Sequence, residues 1–91
     1  SAKTGEIDLI VQDGAQLVFV EVRARSNRFF ESAAGSVNMR KQQRIVRTAQ
    51  LFLQCRPQWA NVPCRFDVIA FEPPQFGTRL RIRWIRSAFT A

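Results

Sequence analysis

Four charged residues interrupt what otherwise has the pattern of an apolar β-hairpin. The segment TGEIDLIVQDGAQLVFVEVRAR, residues 4 to 25, contains two β-branched runs joined by an Asp-Gly turn sequence. The interruptions are Glu6 and Asp8 in the first run, and Glu21 and Arg23 in the second. Since side chains alternate along a strand, the two charged residues of each run share one face of their strand.

The length of the turn decides which carboxylates lie opposite each other. A loop from Asp13 to Gln16 places Asp8 directly opposite Glu21, whereas a two-residue loop places Glu6 there. Both registers put all four charged residues on the same face of the hairpin. Directly opposed Cβ atoms are only about 5 Å apart.

Two carboxylates at that distance repel each other unless a positive charge lies between them. A divalent cation is one candidate, because Mg²⁺ binds one or two carboxylates together with waters and substrate phosphates. The other candidate is an ion pair from Glu21 to Arg23 or Arg65 on an ordinary surface face. The pattern alone leaves both interpretations open.

The composition favours a polyanionic partner. The 91 residues include 14 Lys+Arg and 7 Asp+Glu, a net charge of +7, and twelve of the basic residues are arginine. Nucleic acid is the commonest partner of such a domain, and guanidinium groups bind phosphate in a bidentate manner. A solubilising basic surface is the alternative.

Several classes of protein are disfavoured. No apolar run reaches about 18 residues, so we expect no transmembrane helix, and the first residues lack the pattern of a signal peptide. Cys55 and Cys64 have no metal-ligand spacing and no histidine beside them. Reduced thiols in a cytoplasmic protein are the expectation.

The carboxylates must be positioned by a small α/β domain. We predict strands at Glu6–Gln12, Leu17–Ala24, Cys64–Glu72 and Arg79–Arg86, and a helix at Val37–Cys55 capped by Ser36 or Asn38. This β-β-α-β-β order predicts one mixed sheet with the helix packed on it. The last strand alternates Leu80, Ile82 and Trp84 with arginines, which predicts one buried face and one basic, solvated face.

The helix carries an apolar arc and an opposite basic arc. The apolar arc is formed by Ile45, Val46, Ala49, Phe52 and Leu53, and the basic arc by Arg40, Arg44 and Arg47. The basic arc is either a solvated surface or a phosphate-binding surface. Gln42 lies inside the apolar arc, where a buried amide must find a partner. Either it bonds to the backbone or it points at the active-site edge of the sheet. Lys41 flanks the arc and could reach a phosphate.

One further acid lies in the middle of a predicted strand. Asp67 is separated by one residue from Arg65, so the two side chains share a face. We interpret them as a mutual ion pair.

Five segments together resemble the bacterial YraN family of uncharacterised proteins. They are GEIDLI, FVEVRAR, KQQRI, PCRFDVIAF and WIRSAF, in this order along the chain. That family looks like a distant branch of the PD-(D/E)XK nuclease superfamily, and its pattern is similar to that of archaeal Holliday-junction resolvases. The resemblance implies a single nuclease-like domain over residues 1–91 with a restriction-endonuclease-like fold.

The resemblance also implies roles for individual residues. Asp8 and Glu21 match the superfamily's ligands for Mg²⁺ or Mn²⁺. Arg23 stands where the superfamily usually has Lys, and since arginine stays protonated it could hold a phosphate or orient a water but not act as a base. A helix glutamine points at the active site in several branches, which suggests such a role for Gln42. Glu6 has no role that transfers.

The resulting functional expectation is a metal-dependent endonuclease that acts on DNA, including branched DNA. Its catalytic residues are Asp8, Glu21, Arg23 and Gln42. Its contacts with nucleic acid are Arg25, Arg40, Lys41 and Arg44. The alternatives are a non-catalytic nucleic-acid-binding module with the nuclease fold, and a protein-interaction domain.

The family normally has a helix before GEIDLI, and this sequence starts just before that strand. One face of the sheet should therefore lack a cover. Since small domains rarely expose large contiguous apolar surfaces, we expect either a homodimer through that face or a helix present in a longer protein. The alternative is a monomer in which the loop from Arg25 to Ser36 covers the face.

Overall fold

The computed structural model describes residues 7–24, 37–72 and 79–91. Within these ranges the chain forms four strands and one α-helix in the predicted order. They are β1 (Leu9–Asp13), β2 (Gln16–Ala24), α1 (Met39–Gln54), β3 (Cys64–Glu72) and β4 (Arg81–Phe89), with a short 3-10 helix at Pro57–Trp59 between α1 and β3.

The four strands form a single mixed sheet with the order β1-β2-β3-β4. The β1–β2 and β3–β4 pairs are antiparallel, and the central β2–β3 pair is parallel. A parallel pair needs a crossover connection, and α1 lies in that connection. The mixed sheet with one packed helix confirms the predicted architecture and is consistent with a restriction-endonuclease-like fold.

The β1–β2 hairpin has the register that follows from the longer of the two turns considered. Leu9 pairs with Val20 and Asp13 with Gln16, so the turn spans residues 13 to 16. Gly14 has a φ of 60°, a conformation that glycine adopts without steric cost. β1 begins later than predicted, at Leu9. The side chain of the preceding residue, Asp8, accepts the Val22 backbone N–H. In a regular strand pair that N–H would bond to a backbone carbonyl.

One sheet face, here called the inner face, packs against α1 and holds the main core. Ile45 and Ala49 of the helix are buried together with Phe19 and Phe66 of the central strands. The rings of Phe19 and Phe66 stack at 5.6 Å, and Phe89 of β4 stacks on Phe66 at 5.1 Å. The predicted apolar arc of the helix is therefore its packed face.

The helix starts where the sequence predicted a cap. The Asn38 side chain accepts a hydrogen bond from the Lys41 N–H at 2.9 Å, which satisfies one of the free donors of the first turn. The helix ends at Gln54, shortly before Pro57, whose ring cannot continue it. No helix among the described residues is long and apolar enough to cross a bilayer.

The opposite face of the sheet is here called the outer face. The prediction that the apolar side of the last strand is buried is wrong on this face. Ile82 and Trp84 alternate with arginines as predicted, but they are 61% and 52% exposed. They pair with Phe71 and Ile69, whose side chains lie on the face away from α1. Among the described residues no helix packs on the outer face, so the apolar residues of β4 stay largely in solvent.

Candidate active site

The two predicted metal ligands lie together on the inner face, at the N-terminal end of α1. Asp8 immediately precedes Leu9, whose partner is Val20, so the same register places Asp8 opposite Glu21. Its carboxylate accepts the Val22 N–H at 2.8 Å, which fixes it to the backbone of β2. The paired acids predicted from the sequence are therefore brought together by the hairpin.

Glu21 is a buried carboxylate with one oxygen bonded and one left over. Its side chain is 4% exposed, and its Oε2 atom lies 3.2 Å from Lys41 Nζ and 4.0 Å from Arg23 Nη1. The Oε1 atom is buried and has no hydrogen-bond partner in the described part of the chain. Because an unsatisfied buried carboxylate oxygen is costly, such an atom is a typical mark of a ligand site.

Burial raises the pKa of the Glu21 carboxyl above its ordinary value. The hydrogen bond from Lys41 opposes this effect, and the neighbouring Asp8 carboxylate raises the pKa further. The net shift is upward because the effect of burial, together with Asp8, outweighs the effect of Lys41. Perturbed carboxyls of this kind are concentrated at functional sites.

The donor set fits a hard divalent cation. Mg²⁺ and similar ions prefer oxygen ligands, and they commonly take one or two carboxylates and complete their shell with waters and phosphate oxygens. The described residues contain no group of three or more His, Cys, Asp or Glu side chains that could hold a metal. Asp8 and Glu21 would therefore be the only two acidic ligands from those ranges. Glu6 lies outside the described residues.

Glu21 forms an ion pair with one of the two predicted candidates, Arg23, and a shorter one with Lys41. Arg65 is aligned with Val18, three residues before Glu21 along β2, so its side chain lies on the outer face. Arg23 shares the inner face but approaches only to 4.0 Å. Lys41 makes the short contact, and the sequence offered a weak signal for it because Lys41 flanks the packed arc of the helix.

Gln42 makes the backbone contact that was one of its two predicted alternatives. Its Nε2 atom donates at 2.9 Å to the carbonyl of Val37, the residue before the N-cap of the helix. The helix residue that contacts Glu21 is its neighbour Lys41. A catalytic role for Gln42 stays a prediction.

Three of the four predicted nucleic-acid contacts are described, and all three lie on the first turns of α1. Arg40 and Arg44 are exposed on the first turns of the helix, and Lys41 is half-buried at Glu21. Arg25 lies outside the described residues. Arg23 is partly exposed beside Glu21, and its Nε atom is buried without a hydrogen-bond partner in the described ranges.

Asp67, the acid in the middle of β3, has hydrogen-bond partners for both of its carboxylate oxygens on the outer face. Arg65 Nε donates to both of its oxygens at 3.1 and 3.2 Å, Trp84 Nε1 donates at 2.7 Å and the Ser87 N–H at 2.9 Å. Burial alone would raise the pKa of Asp67, but these hydrogen bonds outweigh it and hold the pKa below its ordinary value. This confirms the predicted ion pair and indicates a structural role.

Comparison with known proteins identifies the family. The model of "Uncharacterised protein family UPF0102" matches residues 1–71. A UPF0102 protein of Stutzerimonas stutzeri (strain A1501) is 48% identical over 89 residues, covering 98% of this chain and 72% of the relative. Another, from Pseudomonas syringae pv. syringae (strain B728a), is 52% identical over 87 residues, covering 96% and 70%. The chain therefore belongs to the UPF0102 family, which confirms the resemblance to the YraN proteins.

Proposed function

We propose that this protein binds nucleic acid and hydrolyses phosphodiester bonds with the help of Mg²⁺ or Mn²⁺ held by Asp8 and Glu21. The observation that carries the proposal is the buried Oε1 atom of Glu21, which has no partner among the described residues and lies on the same face as the opposed Asp8. The resemblance to PD-(D/E)XK nucleases supports the same two residues.

The side chains around the acids have complementary tasks. A bound divalent cation would lower the pKa of a coordinated water and neutralise charge on the phosphate. Lys41 holds Glu21 Oε2 in place, so the other oxygen of Glu21 is left to face a ligand. The Arg23 guanidinium stays protonated, so it binds a phosphate oxygen and does not remove a proton.

Charge supports a nucleic-acid substrate. The net charge of +7 and the twelve arginines suit a polyanion. Arg40 and Arg44 are exposed on the first turns of α1, the part of the helix whose Lys41 contacts Glu21. DNA, including branched DNA, is the substrate that the resemblance to Holliday-junction resolvases suggests.

A non-catalytic nucleic-acid-binding module is the second candidate, and one specific contact favours it. The Lys41 ammonium lies 3.2 Å from Glu21 and already supplies a positive charge where a cation would bind. The arginine at position 23, in place of the superfamily's usual lysine, points the same way.

The outer face supports a further proposal about assembly. Leu9, Ile82 and Trp84 are largely exposed there, and an apolar surface of this kind is typical of an interface. We propose that two copies associate through this face in a symmetric homodimer. Such a dimer would carry two acidic sites on one particle, which suits the cutting of two strands.

Cleavage of labelled DNA tests the catalytic proposal. We expect duplex, flapped or four-way DNA to be cut in Mg²⁺ or Mn²⁺ and not in EDTA, and we expect Asp8→Asn and Glu21→Gln to abolish cutting. Asp13→Asn is the matched control, because Asp13 is an exposed hairpin acid that bonds Arg65 on the outer face. Undiminished cutting by both site variants would identify a contaminating nuclease.

A further inference from the structure

Three aligned residues cross the inner face directly beside the acidic pair. Arg23 of β2 is paired with Ala70 of β3, and Ala70 is paired with Arg83 of β4. Two residues earlier in β2 and β3, Glu21 is paired with Val68, which packs into the core beneath α1. Residues two apart share a face, so Arg23 and Arg83 lie on the same side of the sheet as Glu21.

The two arginines flank one small, buried residue. Neighbouring strands are about 4.8 Å apart, so the backbones at Arg23 and Arg83 are separated by about 10 Å across Ala70. Ala70 is buried and its methyl group is small. The row lies about 6.6 Å along the strands from Glu21, given the rise of about 3.3 Å per residue.

Both guanidinium groups are available to an anion. Arg83 is 57% exposed, and its contact with Glu72 is an ion pair of 4.0 Å that solvent weakens. The Arg23 side chain is 37% exposed, and its contact with Glu21 is likewise an ion pair of 4.0 Å. Charge-assisted bonds from arginine to phosphate are stronger than such a long surface ion pair.

We propose that Arg83, together with Arg23, binds a backbone phosphate of the nucleic acid next to the phosphate placed at Asp8 and Glu21. This inference rests on the proposed function and adds a binding residue from β4 to it. The nucleic acid then runs across the ends of β2, β3 and β4 beyond the first turn of α1. Arg81 lies two residues from Arg83 on the same face and is paired with Glu72.

The chain offers a matched control for Arg83 in the same strand. Arg86 is also an exposed arginine, at 70%, and its Nη2 atom lies 4.0 Å from Asp13 Oδ2. Asp13 also bonds Arg65, which lies on the outer face. Arg83→Gln and Arg86→Gln therefore remove the same charge from opposite faces of one strand.

The test is the salt dependence of DNA binding, measured by fluorescence anisotropy with a labelled duplex in EDTA. Loss of one phosphate contact lowers the slope of log K against log salt by about 0.9. We expect that decrease for Arg83→Gln and an unchanged slope for Arg86→Gln. Thermal unfolding of both variants checks that each remains folded.

Each outcome decides the inference separately from catalysis. Equal slopes for the two variants would overturn it, and so would wild-type binding that does not depend on salt. A reduced slope for Arg83→Gln alone supports it, even if the protein then cuts no DNA in Mg²⁺ or Mn²⁺. That last combination would reject only the catalytic part of the proposed function.

Discussion

Glu21 and Asp67 are both buried carboxylates in the two central strands, yet their surroundings differ. Asp67 receives hydrogen bonds from Arg65, Trp84 and Ser87 on the outer face, and its pKa is lowered. Glu21 keeps one oxygen without a partner among the described residues, and its pKa is raised. The first arrangement stabilises the fold, whereas the second is typical of a binding site.

Asp67→Asn should destabilise the protein by about 3 kcal/mol at neutral pH, because it breaks a buried ion pair. The pKa of Asp67 is below 3.8 in the folded chain, so its contribution is present above pH 3.8 and is lost as the pH falls through the folded pKa. Urea unfolding across acidic and neutral pH measures this. Asp13→Asn, at an exposed partner of the same Arg65, should cost under about 1 kcal/mol; equal costs would contradict this assignment.

Lys41→Ala should destabilise the metal-free protein by about 2 kcal/mol at neutral pH, because Glu21 loses the ammonium group that lies 3.2 Å from its Oε2 atom. Without Lys41 the raised pKa of Glu21 rises further, so the deficit should disappear as the pH falls below 4.5 and the carboxyl becomes protonated. Urea unfolding at both pH values tests this, with Arg47→Ala on the exposed side of α1 as control. A deficit independent of pH would show that Lys41 acts through packing.

Residue alternation explains which side-chain contacts could be predicted from the sequence. The shared face of Asp8 and Glu21, and that of Arg65 and Asp67, follow from the period of two in a strand. That Asp8 and not Glu6 lies opposite Glu21 depends on the length of the turn, which the sequence left open. The contact between Lys41 and Glu21 depends on where the helix lies over the sheet. That position is set by the packing of Ile45 and Ala49 against Phe19 and Phe66, which no local pattern specifies.

At the scale of elements, β3 matches its prediction and β4 does not. Cys64–Glu72 lies between Pro63 and Pro73, and prolines limit strands sharply. β4 was predicted to end at Arg86 but continues to Phe89, past an irregularity in its pairing with β3. Asp67 accepts the Ser87 N–H at that irregularity, and Ser87 has a φ of 49°. This contact depends on a distant residue and leaves no local signal.

Asn38→Ala should lower the free energy of unfolding by about 1 kcal/mol, since it removes the side-chain acceptor for the Lys41 N–H. Chemical denaturation measures the change. Asn61→Ala is the control, because Asn61 is exposed in the connection before β3, and we expect it to change stability by under about 0.5 kcal/mol. An equal effect of both substitutions would show that the cap does not stabilise α1.

At the scale of the whole molecule, α1 covers one face of the sheet and leaves apolar residues exposed on the other. The sequence predicted an uncovered face, but it did not show which residues would line it. The alternation in β4 is the same whether its apolar side packs on a helix or meets solvent. Only the position of α1 assigns Ile82 and Trp84 to the exposed side.

Sedimentation of the chain tests the proposed homodimer. We expect the wild type to dimerise and Ile82→Lys to be monomeric, because a lysine in the outer face would have to be buried in the interface. Leu51→Lys is the control, since Leu51 is an exposed apolar residue on α1. A monomeric wild type would reject association through this face.

The central claim is that Asp8 and Glu21 together hold a divalent cation, and titration with Mn²⁺ followed by electron paramagnetic resonance tests it most directly. We predict one bound ion per chain in the wild type. Removal of either ligand should weaken binding by at least about tenfold in Asp8→Asn and Glu21→Gln, while Asp13→Asn should bind as the wild type does. A wild type that leaves Mn²⁺ free, or site variants that bind it equally well, would contradict the account.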